Sequence, residues 1–193
     1  MFNRLYQRLL ALSASPHAPL ALAAVAFAES SFFPIPPDVI LVPMSLANPR
    51  RAWRYAAIAT IASVAGGAVG YGIGALLYDT LGRQLIDLYG YADRMATMRE
   101  TYARWGALVI LIKGLTPIPY KLVTIASGLF GYNFALFLIL SAATRGARFF
   151  LLAGALNWFG DPLRVALERH FALFLALIAT TIVAGFWIAT RIL

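Results

Sequence analysis

The sequence predicts an all-α integral membrane protein built from two inverted repeats. Each repeat is a re-entrant helical hairpin followed by a transmembrane helix. Interfacial amphipathic helices flank them, and a C-terminal transmembrane helix closes the chain. Three observations predict this. Of 193 residues, 61% are hydrophobic and 12% charged, whereas a soluble domain is about half apolar and about a quarter charged. Residues 55–78 carry no charge and are long enough to span a bilayer. An apolar run interrupted by Pro-x-Pro occurs twice, 83 residues apart.

The length suits one membrane domain, residues 1–193. Residues 1–17 hold an interfacial helix in which Phe2, Leu5, Tyr6, Leu9 and Leu10 recur at helical spacing, opposite Arg4, Gln7 and Arg8. The apolar run Leu9 to Leu12 is too short for the core of a signal peptide. Residues 18–104 form the first repeat. Its apolar run 18–47 contains Glu29 and Asp38 and is interrupted by Pro34, Pro36, Pro37 and Pro43. The uncharged span 55–78 follows, with Ala62, Gly66, Gly70 and Gly74 at every fourth position, a stripe that admits a close neighbouring helix. Residues 79–104 read as two short interfacial helices separated at Gly90.

Residues 105–170 form the second repeat. Its apolar run 105–130 is interrupted by Lys113, Pro117, Pro119 and Lys121, and the span 134–156 carries Arg145 and Arg148. Asp161-Pro162 is an N-cap with proline at the first helical position, opening a short amphipathic piece to His170. Residues 171–193 are a plain final span anchored by Trp187 and Arg191.

The matched segments are Pro34-Ile35-Pro36-Pro37-Asp38-Val39-Ile40 and Pro117-Ile118-Pro119-Tyr120-Lys121-Leu122-Val123. Asp38 falls on Lys121, and each motif is preceded by a charge, Glu29 or Lys113. Pro-x-Pro removes two backbone donors and blocks helix continuation. Broken backbone at membrane depth survives only where protein buries it or a wet cavity hydrates it. Each motif therefore reads as the tip of a re-entrant hairpin; the alternative is a single kinked spanning helix. A hairpin crosses zero times and the helix after it crosses once, so the second repeat starts on the opposite side from the first. Inverted repeats with broken helices at a central site are a transporter signature.

Glu29-Ser-Ser-Phe-Phe-Pro-Ile-Pro-Pro-Asp38 and Lys113-Gly-Leu-Thr-Pro-Ile-Pro-Tyr-Lys121 resemble the two signature motifs of bacterial DedA proteins, in the short YqaA-like branch. These share the SNARE-associated or VTT domain with eukaryotic lipid scramblases. The likeness covers most of residues 18–160. It implies opposed re-entrant hairpins in the bacterial inner membrane, and lipid translocation of the kind that recycles undecaprenyl phosphate, with proton coupling. The family's acids map to Glu29 and Asp38 and its bases to Lys113 and Lys121. The chain departs from the family pattern in using Lys where Arg is usual and in a shorter spacing between the acids.

A charge at mid-bilayer costs roughly 2.5–3.5 kcal/mol on insertion scales, so six of them need a reason. One reading is a staple, with Glu29 and Asp38 neutralised by Lys113 and Lys121. The other is a site in which Lys113 and Lys121 bind a lipid phosphate while Glu29 and Asp38 couple protons. Arg145 and Arg148, three apart on one helix face, either add forked donors to that phosphate or pack against hairpin carbonyls. The partners expected are membrane lipids and protons. A small-ion route is the competing transport reading.

Other classes fare poorly. There is no Cys, and His17 and His170 lie far apart near span ends, so no metal site, cofactor or nucleophilic triad is expected. No Walker-type loop occurs. The net charge of +8 reflects loop arginines facing anionic headgroups rather than nucleic acid. Arg4, Arg8, Arg50, Arg51, Arg54, Arg164 and Arg169 fall on one side, against Arg83, Arg94, Arg99, Arg104 and Arg191 on the other, which favours a cytoplasmic N-terminus.

Overall fold

The computed structural model describes residues 15–33, 35–82, 92–115 and 120–159, with Leu88 and Thr180. The N-terminal helix at 2–12, the Asp161-Pro162 cap, the final span and three hairpin-tip prolines (Pro34, Pro117 and Pro119) lie outside the described residues.

Among the described residues the structure is helical, with no strand. Helices α1 (Ala18–Ser31) and α2 (Asp38–Ala47) flank the first proline motif. A 3-10 turn, Pro49–Arg51, leads into α3 (Ala52–Leu77), which ends in a π-helical turn, Tyr78–Gly82. Then come α4 (Ala92–Leu115), α5 (Lys121–Leu129) and α6 (Phe134–Trp158). The stretches around α3 and α6 are long and apolar enough to cross a membrane, whereas α1 and α2 are apolar but short.

The two triplets correspond helix by helix. Asp38 opens α2 and Lys121 opens α5; Glu29 and Lys113 each stand two residues before the end of their helix. The long helices have 26 and 25 residues.

The first hairpin returns to the end from which it starts. Ser15 and Pro19 at the head of α1 share a cleft with Ala47 and Asn48 at the foot of α2 and with Tyr55 at the head of α3. The core there joins Ala18 and Leu22 to Met44, Ala56 and Phe149. The foot of α5 instead meets the far end of α3, where Gly128 abuts the Tyr71 carbonyl.

The small-residue stripe of α3 makes this possible. A Cβ at Gly66 would strike the Phe27 carbonyl of α1, and one at Gly74 the Ile125 carbonyl of α5. A Cβ at Gly70 would lie 2.9 Å from the Ser30 carbonyl. One face of α3 thus holds α1 along its first half and α5 along its second. Correspondingly, α2 packs on α6 through Val42, Leu46 and Leu156.

Two sequence expectations need correction. Residues 92–104 do not form a separate interfacial helix that stops before 105. The helix α4 continues unbroken from Ala92 to Leu115, so the boundary drawn between the repeats at 104/105 falls inside it. No proline interrupts that stretch, and Gly106 is a contact rather than a break: a Cβ there would sit 2.8 Å from the Tyr132 ring. Pro43, read as an interruption, lies buried inside α2. An interior proline removes one intrahelical hydrogen bond, a loss this ten-residue helix tolerates.

Candidate functional site

The last turn of α1 carries Glu29-Ser30-Ser31, all buried. Ser31 fixes this turn against α3 by donating to the Gly66 carbonyl at 2.9 Å, a reach that the missing side chain at Gly66 permits. Glu29 is therefore held inside the bundle, only 6% exposed. A buried carboxylate needs a counter-charge and donors, and two other elements and the neighbouring Ser30 supply them.

Arg145, midway along α6, donates from Nη2 to Glu29 Oε2 at 2.6 Å. The backbone N–H of Tyr120, just before α5, donates to Oε1 at 3.1 Å. Ser30 Oγ adds a longer contact to Oε2 at 3.2 Å. Arg145 itself is 2% exposed. Its Nε donates to Ser63 Oγ of α3 at 2.7 Å, and Ser63 shares a 2.7 Å hydrogen bond with Ser30. The guanidinium lies between the rings of Tyr120 and Phe149, 5.0 and 4.8 Å from their centroids, where cation–π attraction offsets part of its desolvation. Tyr120 in turn shares a 2.7 Å hydrogen bond with Ser141.

One turn further along α6, Arg148 Nη2 donates to Asp38 Oδ2 at 2.5 Å. Asp38 opens α2, where a carboxylate also faces the positive end of the helix dipole. This pair is less sealed: the two side chains are 20% and 15% exposed. Asp38 Oδ1 is buried and accepts no hydrogen bond among the described residues.

The structure thus brings Glu29, Asp38, Arg145 and Arg148 together, with partners different from those expected. The acids do not pair with Lys113 and Lys121. Each takes an arginine of α6, because α6 crosses the first hairpin with both arginines on the facing side. Lys121 reaches across to the first hairpin, its Nζ 3.4 Å from the Phe32 carbonyl. Lys113 is half-buried in the last turn of α4, beside Gly114, whose position abuts Thr144 of α6. Pro36 is half-buried and Pro37 buried at the first hairpin turn. His17 is exposed at the head of α1.

Sequence reasoning missed the hydroxyls and the backbone donor of Tyr120. Thr124, whose Oγ1 donates to the Ser30 carbonyl at 3.0 Å, belongs with them. A signal was present for two of them: Ser63 sits between Ala62 and Val64 in an apolar span, and Ser30 directly follows the buried acid. A hydroxyl in such surroundings requires a partner. No cluster of three or more His, Asp or Glu that could hold a metal ion occurs among the described residues.

Compared with known proteins, the chain is 37% identical over 169 residues to an uncharacterized protein of Haemophilus influenzae, covering 88% of each chain. It is 36% identical over 169 residues to the "Uncharacterized protein HI0703 homolog" of Histophilus somni, again over 88% of each. No family model and no solved structure matches the chain.

Proposed function

The chain belongs to the family of these Haemophilus influenzae and Histophilus somni proteins, and we propose that it is a membrane transporter, a flippase or scramblase for a phosphate-headgroup lipid, coupled to protons. The reading places it in the bacterial inner membrane as a multi-pass protein with a cytoplasmic N-terminus. It treats α1–α2 and α4–α5 as re-entrant hairpins of two inverted repeats, in the manner of the DedA proteins it resembles. Undecaprenyl phosphate or a phospholipid is the substrate class. The work is translocation, with no bond made or broken.

The observation that carries this reading is the double exchange of charge across the bundle. Two acids on one hairpin meet two arginines three apart on the opposite long helix. The distribution of polarity supports the membrane setting. Glu29, Ser63, Thr124 and Arg145 are buried, while Ile61, Leu76, Ile139 and Leu151 are each at least 65% exposed. That is inside-out for water and suited to lipid.

Mechanism follows from the pairs. Arg145 and Arg148 present forked donors whose geometry matches phosphate as well as carboxylate. A phosphate reaching them displaces Asp38 and Glu29. A carboxylate stripped of its counter-charge in apolar surroundings takes up a proton. Lys121 and Lys113, at the second hairpin, complete the phosphate contacts. Loss of the protons on the other side restores the carboxylates and expels the phosphate.

The test is reconstitution of the full chain into vesicles with headgroup-labelled lipids and an imposed pH gradient. Phosphate-bearing lipid should move and neutral-headgroup lipid should not. Arg145→Gln and Arg148→Gln should abolish movement in protein that still inserts. Movement of a small ion without lipid would replace the lipid reading by an ion route. Absence of any movement, with all four charges paired, would leave a structural staple.

A further inference from the structure

We propose a second phosphate site, separate from the central pairs: the cleft between the head of α1 and the turn joining α2 to α3 binds the headgroup of an anionic lipid. The cleft has a volume of about 280 Å³ and is lined by Ser15, Pro16, Pro19, Asn48, Arg51 and Tyr55, among others. Three observations point to an anion. Arg51 makes no ion pair among the described residues. Tyr55 is 6% exposed, and its hydroxyl makes no hydrogen bond among the described residues. Asn48 precedes the 3-10 turn without capping it, leaving its side-chain amide available to the cleft. A cation, a phenol and an amide with no internal partners, converging on one cavity, are the donor set that a phosphate oxygen takes.

The setting selects a lipid over a soluble anion. Trp53 is 45% exposed beside the cleft, where an indole marks the headgroup level of a bilayer. Arg50 and Arg54 are exposed around it and raise the local concentration of anionic headgroups without lining the cavity. Pro16 and Pro19 give the floor an apolar surface suited to glycerol and the upper acyl carbons.

The three donors are not repeated at the matching positions of the second repeat. At the matching offset of 83 residues Asn48 becomes Gly131, Arg51 becomes Phe134 and Tyr55 becomes Leu138. The repeat that supplies the acids thus carries this donor set at its foot, and the other lacks it at the matching positions. On the transport reading proposed above, on which this sidedness rests, the protein collects anionic lipid from one leaflet only.

The experiment measures binding rather than transport, so that its failure and the failure of transport are distinguishable. The full chain in maltoside micelles is titrated calorimetrically with dioctanoyl phosphatidylglycerol, dioctanoyl phosphatidylcholine and inorganic phosphate. Phosphatidylglycerol should bind and the zwitterion should not. Arg51→Gln should weaken that binding about tenfold, the loss of one charge-assisted contact, and Tyr55→Phe should weaken it less. Arg50→Gln and Arg54→Gln should change it by less than about twofold. Arg104→Gln, at an exposed position of α4 outside both sites, serves as the control and should leave it unchanged. Helical circular dichroism and thermal midpoint establish that each variant is folded. Equal weakening by all three arginine variants would overturn the cleft in favour of a diffuse basic surface. Inorganic phosphate binding as tightly as the lipid would overturn the lipid as its source.

Discussion

Arg145 and Glu29 meet at 2.6 Å across 116 residues of sequence, one from the middle of α6 and the other from the last turn of α1. Both are nearly sealed from the exterior, so removing one partner strands the other. Glu29→Leu alone should cost about 3–5 kcal/mol, the penalty of an uncompensated buried charge. Glu29→Leu with Arg145→Leu should recover most of that stability and still abolish transport. Thermal unfolding in detergent reads the first effect and vesicle flux the second. A double variant as unstable as the single would contradict the pairing.

Asp38 and Arg148 form the more open pair, so their disruption costs less stability. Arg148→Gln should lower stability by about 1 kcal/mol, near the value of a part-exposed ion pair, and eliminate lipid movement. Asp38→Asn retains one oxygen for Arg148 and removes the carboxylate to which the proposed mechanism assigns a proton. It should leave lipid movement insensitive to a pH gradient, measured by flux at matched and unmatched internal pH.

The glycine stripe offers a stability test with an internal control. A Cβ at Gly66 or Gly128 meets the backbone of a neighbouring helix, which has no room to yield. Gly66→Ala and Gly128→Ala should each destabilise by about 1–3 kcal/mol or more. Gly72, on the same helix as Gly66, has nothing within 4 Å of its added Cβ. Gly72→Ala should be neutral or stabilising by up to ~1 kcal/mol, since alanine favours helix. Thermal midpoints of the three variants decide it.

Sidedness is testable because the chain has no cysteine of its own. Ser15→Cys and Asn48→Cys lie at one end of the bundle, and Ala135→Cys at the head of α6 lies at the other. An impermeant thiol reagent applied to intact cells should label Ala135→Cys and leave the first two untouched. Labelling of Ser15→Cys and Asn48→Cys from opposite sides would mean that α1 and α2 cross the membrane as one kinked helix.

Tyr102, in the amphipathic half of α4, gives a pH dependence. Burial pushes its phenol up to about 12 from an ordinary value of 10.0, opposed by its hydrogen bond with Ser127. The unfolded chain therefore ionises this phenol first. Stability drawn from the neutral group is complete below pH 10 and is lost as pH rises towards 12. Tyr102→Phe should flatten that part of the alkaline unfolding curve, at the expense of the 2.9 Å bond to Ser127 at all lower pH values.

Much of the fold was legible in the sequence because membrane-length apolar runs and prolines act locally. The span expected at 55–78 is α3 within a few residues, and that expected at 134–156 is α6. Pro-x-Pro stops a helix through its own missing donor and ring, so helix ends near residues 31 and 115 and new starts at 38 and 121 follow from local chemistry. The fourfold spacing of small residues likewise announced a close helix contact, though not which helices would use it. The boundary before 105 was misplaced because a change from amphipathic to apolar composition does not by itself end a helix.

The charged residues themselves were also conspicuous, since each is out of place in an apolar run. Which acid meets which base was not readable. Matched repeats suggested acid against lysine, position for position. The choice depends instead on where α6 lies against α3, with Gly146 beside Thr60 and Gly154 beside Trp53, which sets Arg145 and Arg148 against the first hairpin. Composition and local pattern act over a few residues and decide where helices begin, end and turn. Partnership between Glu29 and Arg145 is a matter of the angle at which separate helices pack, and only the assembled bundle determines it.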